Sequence, residues 1–343
     1  MIIKKRFQML LLPASFFLLS CTTIAKPVFT EIVHQRPEKR LDSYTFDPKS
    51  SVISRVQTAP DFLLAYLKKI DKKDVYSPYM PTRDEMAMIE DYLEKLPPLH
   101  KRVLQERLIG IYFVNNFWGS GMADYVLGDR DELYTIMIIN PETMKHDMTA
   151  WMTYRENTIY KKDDASIKIT VDCGTLYTGL MYALLHETTH IVDYVMNFTP
   201  YPDKDMQLLG KTRPETDFVK NVWADFKRPE ARYDVPKRKD ITLYGFKNGP
   251  HLSLKDAVPL YERLSQTPFP SLCGWIAWPE DFAEYVTWSY FTKKLNQPYS
   301  ISVYENDKSV FMFAPLSSKL VGERGRTIQN IYVKSENPGE RIR

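Results

Sequence analysis

Apolar residues recur at helical spacing in three stretches between residues 61 and 114. These positions are Phe62, Leu63, Tyr66, Leu67 and Ile70, then Met86, Ile89, Tyr92 and Leu93, then Val103, Leu104, Leu108, Ile111, Tyr112 and Val114. Residues 81–85 have the composition of a helix start, and two prolines at positions 97 and 98 interrupt the pattern. The pattern predicts a helical subdomain over residues 61–130, with His100 on its surface.

Several later runs have the β-branched and aromatic composition that is typical of strands. Three of them cover residues 133–139, 149–155 and 167–171, and polar or turn-forming segments separate them. Residues 301–304 and 310–313 are a candidate hairpin pair, and residues 328–333 form a final strand or helix end. Together with the helices, these runs predict an α+β fold.

A helix without proline is predicted between residues 175 and 199. Its apolar positions are Leu180, Met181, Ala183, Leu184, Leu185, Ile191, Val192 and Val195. The same helix carries the pattern His-Glu-x-x-His at His186, Glu187 and His190. Residues four apart on a helix lie one turn above each other, so the two imidazoles project from one face.

Two imidazoles at this spacing can bind one metal ion, and zinc is the metal that such a pair most often holds. Glu187 can then take a proton from a water molecule at the metal, as in zinc-dependent peptide hydrolysis. The alternative is a buried helix whose histidines are only hydrogen-bonded, but burying these groups without a partner costs free energy. Asp193 lies on the same face, where it would orient a ligand or cap a neighbouring loop.

A catalytic zinc site needs one more protein ligand and leaves the fourth position to water. The best source is the segment 279–290, which opens with a proline suited to a helix's first position. Its Glu280 and Glu284 are one turn apart on one helix face. Glu262 and Asp281 are competing acids, and the alternative for the acidic pair is a solvated helix face.

The two motifs together resemble the gluzincin metallopeptidases, and residues 186–194 with 280–284 are most similar to the lethal-factor-like branch of that family. The resemblance implies a zincin-like catalytic domain, with a small mixed sheet plus metal-binding helices, over residues 131–334. In such a domain a sheet edge pairs with the extended substrate backbone. The resemblance also implies that Glu280 is the third Zn²⁺ ligand and that Glu284 holds a histidine ligand in its metal-binding tautomer.

One position departs from the lethal-factor-like pattern. That pattern has a tyrosine shortly before the ligand glutamate, where it stabilises the developing oxyanion, and this chain has Cys273 at that place. A thiol is a poor neutral donor, so either another group does this work or the activity is weak. His251, Tyr261 and Tyr244 are the candidates.

Residues 1–20 are predicted to be a signal peptide, because a basic head precedes an apolar run too short to span a bilayer comfortably. Residues 18–21, Leu-Leu-Ser-Cys, resemble the lipobox of bacterial lipoproteins, in which the cysteine receives diacylglycerol and a further acyl chain such as palmitate. This resemblance implies a lipid anchor at Cys21. Thr22, where an Asp would signal inner-membrane retention, favours the outer membrane. An ordinary secretory peptide cut elsewhere is the alternative.

Charge and cysteine count narrow the function classes. Lys and Arg total 46 against 43 Asp and Glu, and the excess lies in the three basic residues of the signal peptide. The rest of the chain is charge-balanced, which gives no argument for nucleic acid or anionic lipid as a partner. Besides Cys21, the only cysteines are Cys173 and Cys273. Two predictions stay open for them, a disulfide between them and two isolated buried thiols.

The sequence as a whole predicts a zinc metallopeptidase anchored in the bacterial envelope, with a peptide or an envelope protein as its substrate. Its predicted parts are a lipoprotein signal peptide over residues 1–20, a tether over 21–60, the helical subdomain over 61–130, the metallopeptidase domain over 131–334 and a tail over 335–343. Between the two motifs, residues 199–259 form a long insertion with Trp223 and Phe226 as anchors, which either shapes substrate access or only packs.

Two alternatives stay open at the sequence level. The first is a non-catalytic envelope lipoprotein that keeps the metal site for structure or partner binding, and Cys273 in place of the tyrosine favours it. The second is a metal hydrolase that acts on a non-peptide amide. A site with an open water position would support an enzyme, whereas a closed four-ligand site would support the structural role.

Overall fold

The computed structural model describes residues 26–335 of the chain. The helices in this range are α1 (Lys26–His34), α2 (Asp61–Asp71), α3 (Arg83–Glu94), α4 (Pro98–Arg107), α5 (Met148–Asn157), α6 (Gly179–Met196), α7 (Lys204–Leu208), α8 (Ala257–Ser265), α9 (Trp278–Lys293) and α10 (Lys319–Ser335). The strands are β1 (Val56–Gln57), β2 (Ser77–Tyr79), β3 (Leu108–Asn115), β4 (Gly121–Leu127), β5 (Leu133–Ile139), β6 (Tyr160–Lys161), β7 (Ile167–Asp172), β8 (Trp223–Asp225), β9 (Arg228–Pro229), β10 (Leu252–Ser253), β11 (Ser300–Glu305) and β12 (Lys308–Phe313).

The predictions for the two ends of the chain lie outside the described residues. They are the signal peptide over residues 1–20, the lipid anchor at Cys21 and the part of the tail beyond residue 335. Within residues 26–335, no helix is both long enough and apolar enough to cross a membrane.

The main sheet is mixed and has five strands in the order β1-β3-β5-β4, with β2 paired to β3 outside this path. Strand β3 is parallel to β1 and β5, and β4 is antiparallel to β5. A second sheet, β12-β11-β7, is antiparallel, and β10-β6 and β8-β9 are two-stranded. The architecture is therefore α+β, as predicted, and β4 lies at one end of the main sheet.

Helix α6 is the element against which the others pack. It contacts α9, β4, α4 and α5, and each of its residues except His190 is buried. A helix that is buried on all sides needs apolar residues around its whole circumference, which the sequence supplies. The helix ends where Asn197 takes a left-handed conformation with φ 53°. This burial positions the His-Glu-x-x-His motif rigidly in the interior.

The tether prediction is wrong for residues 26–60, which pack against the body of the molecule. Lys39 forms a buried ion pair with Asp124, and the buried guanidinium of Arg55 donates to the carbonyl oxygen of Leu108 at 2.6 Å. Polar side chains hold this segment in place, so it has little of the apolar periodicity by which a packed segment is recognised in sequence.

The helical subdomain predicted over residues 61–130 is also wrong in part. Helix α4 ends at Arg107, and the apolar run that follows is strand β3, in which every residue except Asn115 is buried. A strand buried on both faces shows no alternation of polar and apolar residues, so periodicity does not distinguish it from a buried helix. The main sheet joins β3, β4 and β5 across the predicted boundary at residues 130 and 131.

Residues 149–155 were predicted as a strand but belong to helix α5. Asp147 caps this helix by accepting from the backbone N–H of Ala150 at 2.8 Å, and Trp151 and Arg155 are buried by it. The cap and the packing override the strand propensity of the segment. Residues 328–333, for which both a strand and a helix end were predicted, lie in helix α10. The helix prediction is therefore the correct one of the two.

The other strand predictions are confirmed. Strands β5 and β7 cover residues 133–139 and 167–172, and β11 and β12 form the predicted antiparallel hairpin. The surface position predicted for His100 is wrong, because its side chain is 0% exposed and its ring nitrogens contact the hydroxyl groups of Thr188 and Tyr332 at 2.7 and 2.9 Å. Both contacting residues lie in other helices, α6 and α10, which the local sequence around His100 does not show.

The insertion over residues 199–259 is largely irregular and has the two predicted anchors. Trp223 is buried and donates its indole N–H to Asp281 at 2.8 Å. Phe226 packs edge-on against Trp278 at the start of α9, with ring centroids 5.4 Å apart, and also stacks on Tyr201 within the insertion. These contacts fix the insertion next to α9.

Candidate metal centre

His186, His190 and Glu280 converge where α6 packs on α9. The Nε2 atoms of the two histidines are 3.1 Å apart, and the Glu280 carboxylate oxygens lie 3.4 Å from Nε2 of His186 and 3.7 Å from Nε2 of His190. Two ligand atoms of a tetrahedral zinc ion lie about 3.3 Å from each other. The three side chains therefore fit a single ion, and no other group of three potential ligands of this kind occurs within residues 26–335.

The competing acids do not reach this site. Glu262 is exposed on α8. Asp281 is buried, but it accepts hydrogen bonds from Arg324 at 2.7 Å and from the indole of Trp223 at 2.8 Å. Of the acids weighed as third ligand, Glu280 is the one that faces both histidines.

Glu284 lies behind His186 and is 0% exposed. One of its oxygens is 3.2 Å from Nδ1 of His186 and accepts from Arg155 at 3.0 Å and Tyr182 at 2.5 Å, and the other accepts from Trp288 at 2.8 Å. Burial raises the pKa of Glu284, but Arg155 and His186 outweigh it and hold the pKa well below its usual range. Because Glu284 is buried, it does not lie on a solvated helix face, which was the alternative for the acidic pair. With Nδ1 of His186 directed at a carboxylate, Nε2 is left for a metal.

The ligand group is electrostatically coupled. Burial lowers the pKa of His186, but hydrogen bonds with Glu280 and Glu284 outweigh it and raise the pKa to about 10. Burial lowers the pKa of His190 to about 4. Burial raises the pKa of Glu280, but the two histidines outweigh it and lower the pKa to about 2. A metal ion that binds here must displace the proton of His186.

Glu187 is adjacent to the ligands and lines the same cavity. Its carboxylate accepts a hydrogen bond from the backbone N–H of Ala123 at the start of β4, and burial raises its pKa to about 7. A Cβ atom at Gly121 would lie 2.8 Å from Cγ of Glu187, so only glycine allows this approach of strand and side chain. A carboxyl group with a pKa near neutrality can both accept and donate a proton.

Asp193 does not face the metal ligands. It is 0% exposed and accepts from the backbone N–H of Thr199 at 2.8 Å and from the hydroxyl of Thr199 at 2.5 Å. Two roles were left open for Asp193, orienting a metal ligand and capping a neighbouring loop. Its hydrogen bonds with Thr199 support the second role, because Thr199 lies in the loop that follows α6.

Cys173 and Cys273 are both buried free thiols, so they form no disulfide with each other. Cys273 lines the cavity, with Sγ 3.5 Å from Oε2 of Glu280. Among the candidates for the missing tyrosine, His251 is exposed and Tyr261 is fully buried, where it donates to Glu156 at 2.6 Å. Tyr244 alone of the three lines the cavity.

The cavity has a volume of about 510 Å³. It is lined by α6, by the N-terminal end of α9 and the residues just before it, by the residues around the start of β4, by residues 202–203, 226–227 and 241–247 of the insertion, and by Arg155 of α5. Sequence reasoning missed Arg155 and Tyr182 at this site. Tyr182 precedes His186 by one helical turn, so helix periodicity alone indicates that it shares a face with this ligand. Arg155 lies in the segment that was predicted as a strand, so its position was not indicated by the sequence.

No protein-family model, curated protein or solved structure matches the chain. Inferences about its function therefore depend on the chemistry of the cavity. A His-His-Glu ligand set beside a carboxyl group of near-neutral pKa is suited to hydrolysis by an activated water molecule.

Proposed function

We propose that the protein is a zinc-dependent peptidase of the bacterial envelope with a zincin-like catalytic domain of the gluzincin type. The observation that carries the proposal is the convergence of His186, His190 and Glu280 at ligand distances on the wall of an open cavity. Three ligands leave the fourth position of a tetrahedral ion to water or substrate, which is the arrangement of a catalytic site.

Each of the chain's own groups has a defined part in this reaction. A bound Zn²⁺ ion would polarise the substrate carbonyl and lower the pKa of a water molecule. Glu187 takes a proton from the attacking water and then gives it to the leaving amine, for which a pKa near 7 suits it. Glu284 and Tyr182 orient His186, and Arg155 neutralises Glu284.

The position of β4 favours a peptide over a non-peptide amide as the substrate. This strand is at the end of the main sheet, and Gly121, Met122 and Ala123 at its start line the cavity. An extended peptide can add to such an edge through its backbone hydrogen bonds. The envelope location rests on the lipobox resemblance, which implies an anchor at Cys21, and Thr22 after that cysteine favours the outer membrane.

The second candidate is a non-catalytic envelope lipoprotein with a structural metal site. Cys273 favours it, because this thiol stands in place of the tyrosine of the lethal-factor-like pattern and is a poor neutral donor. Its Sγ donates to Oε2 of Glu280 at 3.5 Å and is not part of the ligand group of His186, His190 and Glu280.

The test is the zinc content of the chain without its signal peptide and lipid-bearing cysteine, residues 22–343, with cleavage of a mixed peptide library measured on the same samples. We expect about one zinc per chain in the wild type. Glu280→Gln should lower the zinc content, whereas Glu187→Gln should keep it and lose about 10²- to 10⁴-fold in rate. Glu262→Gln, which changes an exposed acid, is the matched control and should alter neither.

The outcomes separate the candidates. A wild type without zinc after metal-replete purification would contradict the metal centre itself. Zinc without any cleavage would favour the non-catalytic lipoprotein.

A further inference from the structure

The phenol of Tyr244 lines the metal-centre cavity at the end of a short hydrogen-bond chain. Its hydroxyl oxygen is 2.7 Å from Oγ of Ser120, and Oγ of Ser120 is 3.0 Å from Nε1 of Trp151. Trp151 belongs to α5, and Ser120 immediately precedes β4. The hydrogen bonds from Trp151 through Ser120 to Tyr244 therefore connect the interior of the molecule to the cavity.

One bond of this series has a fixed direction. An indole N–H only donates, so Oγ of Ser120 accepts from Trp151. Ser120 is 5% exposed, and the other partner of its hydroxyl within residues 26–335 is the hydroxyl of Tyr244, a bond in which either oxygen can donate. When Ser120 donates, its proton is paired and the proton of Tyr244 is available to a group in the cavity.

The surroundings hold Tyr244 in place. Its backbone has φ 54°, a left-handed conformation that a tyrosine keeps only where contacts impose it. The backbone N–H donates to Oγ1 of Thr158 at 2.8 Å, and the carbonyl oxygen accepts from the indole of Trp118. A donor that is already oriented stabilises charge without a reorganisation cost during the reaction.

The phenol reaches the part of the cavity next to Glu187, because its partner Ser120 precedes Gly121, where a Cβ atom would lie 2.8 Å from Cγ of Glu187. It interacts electrostatically with Arg155 and with Cys273, and Sγ of Cys273 is 3.5 Å from the carboxylate of Glu280. Burial raises the pKa of Tyr244, so the phenol keeps its proton at neutral pH. A protonated phenol can donate a hydrogen bond to a developing negative charge on oxygen.

We propose that Tyr244 is a catalytic residue that donates a hydrogen bond to the substrate carbonyl oxygen as this oxygen becomes negatively charged. The inference rests on the proposed peptidase function. Attack by water forms the new C–O bond and moves the carbonyl π electrons to oxygen, where Tyr244 donates without transferring its proton. When the C–N bond breaks, the electrons return to the carbonyl and the amine takes a proton from Glu187.

The first test compares Tyr244→Phe with Tyr154→Phe on a peptide that the wild type cleaves. Tyr154 is the matched control, because it is 56% exposed and its ring centroid is 6.4 Å from that of Tyr244. We expect Tyr244→Phe to lower kcat by about 10²- to 10³-fold with KM and zinc content unchanged. Ser120→Ala should lower kcat less, because the phenol keeps its proton and loses only its orienting partner.

The second test does not depend on turnover. Phosphoryl-leucyl-tryptophan carries a tetrahedral anion, and its binding to the zinc-loaded protein can be measured by calorimetry beside that of the leucyl-tryptophan dipeptide. Tyr244→Phe should weaken binding of the phosphoryl compound by at least about 10-fold and leave binding of the dipeptide unchanged. Equal binding of the phosphoryl compound and equal kcat in Tyr244→Phe and wild type would overturn the inference.

The two proposals fail in different ways. If the wild type binds no zinc or cleaves no peptide, the peptidase function is contradicted. If Tyr244→Phe cleaves peptide as fast as the wild type, only the role of Tyr244 is contradicted. If Tyr244→Phe does not fold, Ser120→Ala decides, because an unchanged kcat in that folded variant contradicts the hydrogen-bond chain.

Discussion

His186 is held by acidic groups on both sides of its ring. Nδ1 faces Glu284 at 3.2 Å, and Nε2 faces Glu280 at 3.4 Å. His190 contacts the same Glu280 carboxylate and lies 3.1 Å from His186. The orientation of His186 is therefore imposed from α9, whereas the spacing of the two histidines comes from α6. This division explains why both helices are needed for a complete ligand set.

Gly121 is the residue through which the start of β4 controls Glu187. We predict that Gly121→Ala keeps the zinc content and lowers peptide cleavage by at least about 10-fold, because the new Cβ would lie 2.8 Å from Cγ of Glu187 and displace the general base. Zinc content and kcat are the measurements. Gly322→Ala is the matched control, because a Cβ at Gly322 of α10 meets nothing within 4 Å. This variant should keep wild-type turnover, and its free energy of unfolding should rise by about 0.5–1 kcal/mol. Wild-type turnover in Gly121→Ala would contradict the prediction.

At the scale of elements, one histidine joins three helices without taking part in the metal centre. His100 of α4 contacts Thr188 of α6 and Tyr332 of α10 through its two ring nitrogens. Burial lowers its pKa from 6.5 to about 3. The folded state thus binds fewer protons at this site than the unfolded state between these two values, and stability is lost as the pH falls below 6.5.

We predict that His100→Gln removes part of this pH dependence. Between pH 7 and pH 5, the free energy of unfolding of the wild type should fall by about 2 kcal/mol more than that of the variant. Urea unfolding of the zinc-free proteins at both pH values measures the difference. Between pH 7 and pH 8 the imidazole is neutral in both states, so the two proteins should change in parallel there. Parallel change down to pH 5 would contradict a buried neutral histidine.

At the scale of the whole molecule, the N-terminal segment is part of the folded body. Lys39 and Asp124 form an ion pair with side chains 2% and 9% exposed, and Nζ of Lys39 lies 3.7 Å from the centre of the Tyr125 ring. The pair joins the N-terminal segment to strand β4, which also contributes to the cavity wall. The N-terminal segment is therefore attached to the strand whose start lines the cavity.

We predict that Lys39→Ala lowers the free energy of unfolding by about 3–5 kcal/mol, because it leaves the Asp124 carboxylate buried without its cationic partner. Thermal and urea denaturation measure this loss. Lys49→Ala changes an exposed lysine of the same segment and should stay within about 0.5 kcal/mol of the wild type. Equal stability of the two variants would indicate a loosely attached segment, as the tether prediction implied.

Local spacing was sufficient for the parts of the candidate site that lie on one helix. His186, Glu187 and His190 are related by one turn of α6, and Glu280 and Glu284 by one turn of α9, so the sequence alone predicted which side chains share a face. The mixed α+β class, the hairpin β11-β12 and the anchors Trp223 and Phe226 were also predicted from composition and periodicity.

Only the tertiary structure decided which faces meet. It selected Glu280 over Asp281 and Glu262, placed Arg155 against Glu284, left Cys173 and Cys273 unbridged, and directed Tyr244 into the cavity through Ser120. These pairs are far apart in sequence, and a buried run such as β3 carries no alternation to reveal its partners. Periodicity reports the conformation of one element, whereas contacts between elements depend on how the whole chain packs.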